Sequence, residues 1–311
     1  MRKSKKIAVI GAGLMGTGIA QVFANNGYPV ALFDTQQNAL AQSLVTIRSN
    51  LELMANNGIG DLNEIEVILA RINPSLDFAQ VVFDADFVIE CVPENMKLKQ
   101  DVFRQLDEAC KREAILATNT SVMSITEIAS KATYKERIIG THFWNPPFLI
   151  PLVEVVRAAD TAETVMQETM NLLADIGKHP VRVNKDVPGF VANRLQHALW
   201  REAISIVEKG IATAATVDEC IRFGFGLRLP VLGPLENSDM VGADLTLAIH
   251  EYILKHLENS CEPSPLLKKL VTEGKLGFKT GQGFYDWTPE KSEAAKERLI
   301  TYLLKQLSTS S

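Results

Sequence analysis

A chain of 311 residues, 46% apolar and 22% charged, has room for about two domains of roughly 100–200 residues each and is neither a disordered tail nor a fibre. A net charge of −5 at pH 7 excludes a broad basic face for nucleic acid. Cys91, Cys110, Cys220 and Cys261 lie far apart with no C-x-x-C pair, so free thiols in a reducing compartment are expected, and no metal set.

The first six residues are basic and precede an apolar run, as at a signal peptide. That run is broken by Gly11, Gly13, Gly16, Gly18 and Gly27, with Gln21, Asn25, Asn26 and Pro29, and no small-residue cleavage site follows it. A cytoplasmic protein without a membrane span is expected. Residues 5–10 read as a strand, 14–26 as a helix with Leu14, Ile19, Val22 and Phe23 on one face, and 28–33 as a second strand closed by Asp34. Helices are predicted over 36–57 and 61–70, then strands over 87–91, 115–118 and 137–143 with a helix over 95–110. A strand over 153–156, a helix over 163–176 and a strand over 180–183 follow. Strands that alternate with helices predict an α/β fold, a Rossmann-type doubly wound, mainly parallel sheet.

After Asp186-Val-Pro-Gly189 the pattern changes to helices, over 190–208, 216–223, 244–257 and 294–307. The boundary is therefore drawn there: a nucleotide-binding domain over 1–187 and an all-helical C-terminal domain over 188–311, with the substrate cleft between them. Leu299, Leu303 and Leu307 recur every fourth residue in the last helix. Packing on its own subunit and a dimer contact are both open readings of that stripe.

Gly11-Ala-Gly13-Leu14-Met15-Gly16 matches G-x-G-x-x-G directly after a strand, opens a helix, and is followed by Asp34 at the end of the next strand. Gly11 permits the tight turn, Gly13 lets a pyrophosphate approach the backbone, and Gly16 lets the helix pack close to the sheet. The helix N-terminus offers free N–H groups to the phosphates. A carboxylate at Asp34 accepts from ribose hydroxyls and repels an extra phosphate, and Thr35-Gln36-Gln37 brings no cation to offset it, so NAD is favoured over NADP. Flavin dinucleotides share the fingerprint and are the competing cofactor.

His142 lies in Gly140-Thr-His-Phe-Trp-Asn-Pro-Pro147, and Glu154 twelve residues on in Pro151-Leu-Val-Glu-Val155. A reversal centred near Phe148 would set the two opposite one another on neighbouring strands. An imidazole held by a carboxylate suits a general base, and equally a purely structural pair.

Together these segments make the chain similar to the 3-hydroxyacyl-CoA dehydrogenase family. The resemblance runs from about residue 6 to 287 and adds Ile89-Glu-Cys-Val-Pro-Glu-Asn95 with Lys99, Asn119-Thr-Ser121, Asp186-Val-Pro-Gly-Phe-Val-Ala-Asn-Arg-Leu195, Gly233-Pro-Leu-Glu236 and Gly277-Phe-Lys-Thr-Gly-Gln-Gly-Phe-Tyr285. It implies that His142 is the catalytic base and Glu154 its orienting partner, and that Ser121 and Asn193 hold the reacting oxygen. It places Glu94, Lys99, Ser121, Asn145 and Lys279 at the cofactor. It further implies NAD-dependent oxidation of the 3-hydroxyl of a 3-hydroxyacyl-CoA to the ketone, and a homodimer.

Coenzyme A is a polyanion, and members that bind it offer lysines after the second strand. Here Arg48 and Arg71 are the only cations between Lys6 and Lys97. The alternative is therefore a free small hydroxy acid or alcohol, of carnitine, sugar-acid or pyridine-carboxylate type, gripped by Arg201 or Arg228. Arg201 pairing with Glu202 or Glu208, and an idle Arg228, are the bland readings.

Overall fold

The protein is described by a computed structural model over residues 5–309. Eight strands form one sheet among the described residues: β1 Ile7–Ile10, β2 Val30–Phe33, β3 Ile72–Ser75, β4 Phe87–Glu90, β5 Ile115–Thr118, β6 Ile138–Phe143, β7 Leu152–Val156 and β8 His179–Val183. Their order is β3-β2-β1-β4-β5-β6-β7-β8. Every neighbouring pair is parallel except β6 and β7. The helices between them are α1 Leu14–Asn25, α2 Gln37–Asn56, α3 Ile65–Leu69, α4 Phe78–Val82, α5 Met96–Ala109, α6 Ile125–Ile128 and α7 Glu163–Asp175. This is the doubly wound sheet that the alternating pattern predicts.

Residues along β1 alternate between two apolar layers. Ile7 and Val9 pack with Ile19 and Phe23 of α1, Leu40 and Ile47 of α2, and Leu172 of α7. Ala8 and Ile10 pack with Val81 of α4, Phe103 and Leu106 of α5, and Ile125 of α6. A central parallel strand is covered on both faces, so all four of its residues are apolar. Each large side chain so buried contributes about 1.5–3 kcal/mol.

The sequence pattern passes over β3, because Pro74 lies inside it. Proline removes a ladder donor and is tolerated only at an edge. β3 is such an edge, paired to β2 alone. The short helices α4 and α6 also escape prediction, being too brief for a helical period. Each is started by a side chain instead: Asp77 accepts from the Gln80 N–H, and Ser124 from the Glu127 N–H.

The remaining helices are α8 Ala192–Glu208, α9 Ala214–Phe223, α10 Pro234–Val241, α11 Ala243–Ile253, α12 Pro265–Thr272 and α13 Pro289–Thr309. By contacts within the chain, Arg194–Arg298 forms one compact unit, and the chain from Leu299 belongs with the sheet. There Leu304 is buried against Met54 of α2 and Leu149, with Leu303 and Leu307 packed beside it. Leu303 and Leu307 therefore pack on their own subunit, while Leu299 stays 54% exposed. No helix among the described residues is long and apolar enough to cross a membrane.

Candidate active site

β1, β2, β4, β5 and β6 run parallel, so their carboxyl ends open on one edge of the sheet. Gly11, Asp34, Cys91, Asn119 and Trp144 are the next residues, and of the expected site residues Gly11, Gly13, Leu14, Met15, Gly16, Asp34, Glu94, Ser121 and Asn145 follow these ends, while His142 lies within β6 and Glu154 within β7. Gly11 has φ +106°, and its N–H donates to the Phe33 carbonyl at 2.8 Å. The first helical bond of α1 runs from the Thr17 N–H to the Gly13 carbonyl. The N–H groups of Leu14, Met15 and Gly16 precede it and face outward from the helix start. A Cβ on Gly13 would meet nothing within 4 Å, whereas one on Gly16 would lie 1.8 Å from the Gly11 carbonyl oxygen. Gly13 thus leaves an open cradle at the positive end of α1, and Gly16 seats the helix on the loop.

Asp34 ties this cradle to β2. Its Oδ2 accepts the Ala12 N–H at 2.8 Å and its Oδ1 the Gln36 N–H at 2.9 Å. Each oxygen keeps a lone pair for a ribose hydroxyl. Open cradle, free N–H donors and a carboxylate at the next strand end together fit NAD.

The β6–β7 register puts His142 opposite Glu154. The His142 Nδ1 lies 2.8 Å from the Glu154 Oε2, and both side chains are buried. Glu154 Oε1 accepts the N–H groups of Val191 and Ala192 at 2.9 and 3.0 Å. Gly189 and Phe190, both with positive φ, turn the chain into α8 so that these N–H groups meet the carboxylate. The Trp144 indole N–H adds a longer contact to Oε2, 3.4 Å. Burial pushes the Glu154 carboxyl up, but the hydrogen bonds from His142 and the two backbone N–H groups outweigh it and hold it below the usual carboxylate value. Since an ionised Glu154 only accepts, His142 Nδ1 carries the proton and Nε2 presents its lone pair. Nε2 has no partner among the described residues. Trp144 and Phe190 flank the ring at 5.3 and 5.7 Å.

Ser121 and Asn193 come together as well: the Asn193 amide donates to the Ser121 carbonyl at 3.0 Å. Glu94 accepts the Ser121 N–H at 2.6 Å and the Thr120 hydroxyl at 2.9 Å. Asn119 accepts the Phe143 N–H at 2.9 Å and so ties the end of β5 to the histidine strand. Asn145 is exposed just after that strand. Lys99 is placed differently from a cofactor contact. Its ammonium is buried under the loop, 2.8 Å from Glu90, 3.1 Å from the Val92 carbonyl and 3.6 Å from Glu94.

Arg201, Arg228 and Lys279 belong to the helical unit and are exposed. Arg201 donates to the Ser260 carbonyl at 3.4 Å, while Glu202 and Glu208 accept from Glu258 and Ser264. Arg228 ends a short 3-10 turn, Phe225–Leu227. Spacing missed Asn119, Trp144 and the α8 N–H pair, because their partners are residues far along the chain. Only the Asn after a strand carried a local signal.

Residues 6–187 match the family model described as 3-hydroxyacyl-CoA dehydrogenase, NAD binding domain. Residues 189–287 match the 3-hydroxyacyl-CoA dehydrogenase C-terminal domain. Human mitochondrial hydroxyacyl-coenzyme A dehydrogenase is 40% identical over 294 residues, 91% of each chain. A 5-formyl-3-hydroxy-2-methylpyridine 4-carboxylate 5-dehydrogenase from Mesorhizobium japonicum is 34% identical over 297 residues, 93% of each chain. A solved structure of an enzyme of that latter name, described as an NAD+-dependent dismutase, has a TM-score of 0.89 at 32% identity over 97% of each chain.

Proposed function

This chain belongs to the 3-hydroxyacyl-CoA dehydrogenase family, and from that premise we propose that it oxidises the 3-hydroxyl of a 3-hydroxyacyl-CoA to the ketone. It is an NAD-dependent oxidoreductase of that family's type. One observation carries the mechanism: a buried His142–Glu154 pair at 2.8 Å with Nε2 unengaged among the described residues, on a strand whose carboxyl end opens on the same edge of the sheet as the dinucleotide loop. NAD, held at the α1 N–H donors and Asp34, would supply the hydride acceptor for the carbinol carbon. His142 Nε2 takes the hydroxyl proton, and Glu154 stabilises the resulting imidazolium. Ser121 and Asn193 orient the reacting oxygen. Glu94 sets the Ser121 backbone, and Lys99 supports that loop from beneath. Gly11, Gly13, Leu14, Met15, Gly16, Asp34 and Asn145 hold the cofactor.

The test is NADH oxidation with acetoacetyl-CoA beside a panel of free keto acids. Turnover of the thioester is expected; turnover confined to free acids would overturn this substrate assignment.

A second reading, a free small carboxylated alcohol gripped by Arg201 or Arg228, is favoured by the charge around α2. Arg48 is committed to Glu66, with one contact at 3.1 Å, and Arg71 donates to the Ala24 carbonyl at 2.8 Å. Both cations between Lys6 and Lys97 thus already have a partner on the protein, for which a polyphosphate would have to compete. The pyridine-carboxylate dehydrogenase likeness points the same way.

The protein is further proposed to be a cytoplasmic homodimer. Its free cysteines fit a reducing compartment. Across Arg194–Arg298 only Ser205 is buried in the single chain, while Leu199, Trp200, Phe223, Leu235, Leu247 and Tyr252 are exposed. A helical unit without a buried apolar core of its own is not stable in water. A second copy supplies the missing cover, in part along an open, largely apolar groove of about 1100 Å³ beside α8. Sedimentation equilibrium at micromolar concentration is expected to give twice the chain mass of 34.3 kDa. A stable folded monomer would sink the proposal.

A further inference from the structure

The reversal that joins β6 to β7 spans residues 145–151 and contains Pro146, Pro147 and Pro151. It sets the register of His142 against Glu154, yet it has few N–H groups of its own to close it. Leu149 and Ile150 both donate to the Pro146 carbonyl, at 3.0 and 2.9 Å. The carbonyls of Pro147 and Ile150 need an outside donor. Lys178 is that donor: its ammonium hydrogen-bonds Pro147 and reaches Ile150 at 3.0 Å. The lysine follows Gly177, whose φ of +73° ends α7 and aims the next residue back under the loop.

We propose that Lys178 is a positioning residue for the proposed dehydrogenase: its ammonium pins the reversal and thereby holds His142 in register with Glu154.

Among the described residues, the side chains facing the ammonium are neutral. A cavity of about 170 Å³ beside it is faced by Gln21 and Asn25 of α1, Asn26 just after that helix, Met54 of α2 and Leu307 of α13. The nearest titratable neighbours in sequence are Asp175, which accepts from the Tyr28 hydroxyl at 2.5 Å, and His179, whose backbone N–H donates to Pro151 at 2.9 Å. With no carboxylate hydrogen-bonded to it among the described residues, burial pushes the lysine down to about 8. Two consequences run in opposite directions above pH 8. The charged hydrogen bonds to the reversal are lost, so the clamp slackens. Meanwhile the unfolded chain still binds the proton up to its ordinary value near 10.5, so global stability rises. An alkaline fall in turnover without unfolding is therefore the signature, and a merely structural lysine does not produce it.

The experiment compares kcat from pH 6.5 to 9.5 for wild type, Lys178→Met and Lys178→Arg. Lys178→Met keeps the apolar stem and is expected to lose about tenfold in kcat, with NAD affinity unchanged. Its profile lacks the decline near pH 8. Lys178→Arg keeps a charge at every pH tested; it is expected to recover most of kcat and to hold it past pH 9. A wild-type kcat and an unchanged alkaline limb in Lys178→Met overturn the proposal. Should either variant fail to fold, amide exchange in wild type decides. Protection of Leu149 and Ile150, corrected for intrinsic rates, is expected to fall between pH 7 and 9, and constant protection overturns the clamp. The proposal rests on His142 as base, but the exchange readout does not, so the two fail separately.

Discussion

His142→Asn is expected to lower kcat by about 10²–10⁴ while leaving the NAD dissociation constant unchanged. Asparagine is preferred to alanine here because its amide nitrogen, bonded to Cγ as Nδ1 is, can still donate to Glu154, so the buried carboxylate keeps a partner and the fold is retained. What it removes is the basic lone pair at Nε2, the only acceptor on this side chain with a proton affinity suited to neutral pH. Binding of NAD is expected to survive because its groups, the α1 N–H donors and Asp34, touch neither His142 nor Glu154. Steady-state kinetics and a nucleotide fluorescence titration on the same preparation check both halves. Retained turnover would remove His142 as the base and with it the mechanism.

Glu154→Gln comes second, with an expected loss in kcat of about 10²–10⁴. The carboxylate faces donors on both sides: His142 Nδ1–H on Oε2 and the Val191 and Ala192 N–H groups on Oε1. An amide has one oxygen for these two directions. If the oxygen meets the backbone pair, the amide N–H faces the ring, Nδ1 must accept, and the proton moves to Nε2. His142 then has the tautomer that cannot act as base. The opposite placement sets an N–H against two backbone donors and destabilises the start of α8. The substitution also has a pH signature. A carboxyl held below its ordinary value contributes stability above that value, near 4.5, and the contribution is lost as pH falls through the folded value. Urea unfolding should show the wild-type advantage over Glu154→Gln in full above about pH 5 and narrowing below about pH 4. A gap that stays constant from pH 3 to 7 would refute the assignment of the charge to Glu154.

Much of the sheet was legible because its signals are local. A strand, three spaced glycines, a helix and a terminal aspartate lie within 30 residues, and each element has its own period. The His142–Glu154 pairing was legible for a related reason: a proline-rich turn and an even spacing leave one face for both side chains. What escaped depends on partners distant in the chain. Lys99, which the resemblance places at the cofactor, is instead buried by an ion pair with Glu90 across a strand–helix turn, which no helical or strand period marks. Pro74 argues against a strand unless β3 is known to be an edge. The leucine stripe of α13 gave its period but not its docking face, which is built by Met54 and Leu149. The helical unit was legible as helices and not as a packed body, since its apolar side chains have few partners within one chain.

The return of α13 to the sheet has a consequence for the order of synthesis. Met54 and Leu149 leave the ribosome early, but Leu304, which covers them, is translated only after the whole helical unit. The nucleotide-binding half must therefore wait with an uncovered greasy spot while the rest of the polypeptide is made. During that interval it is the natural place for a chaperone to hold on.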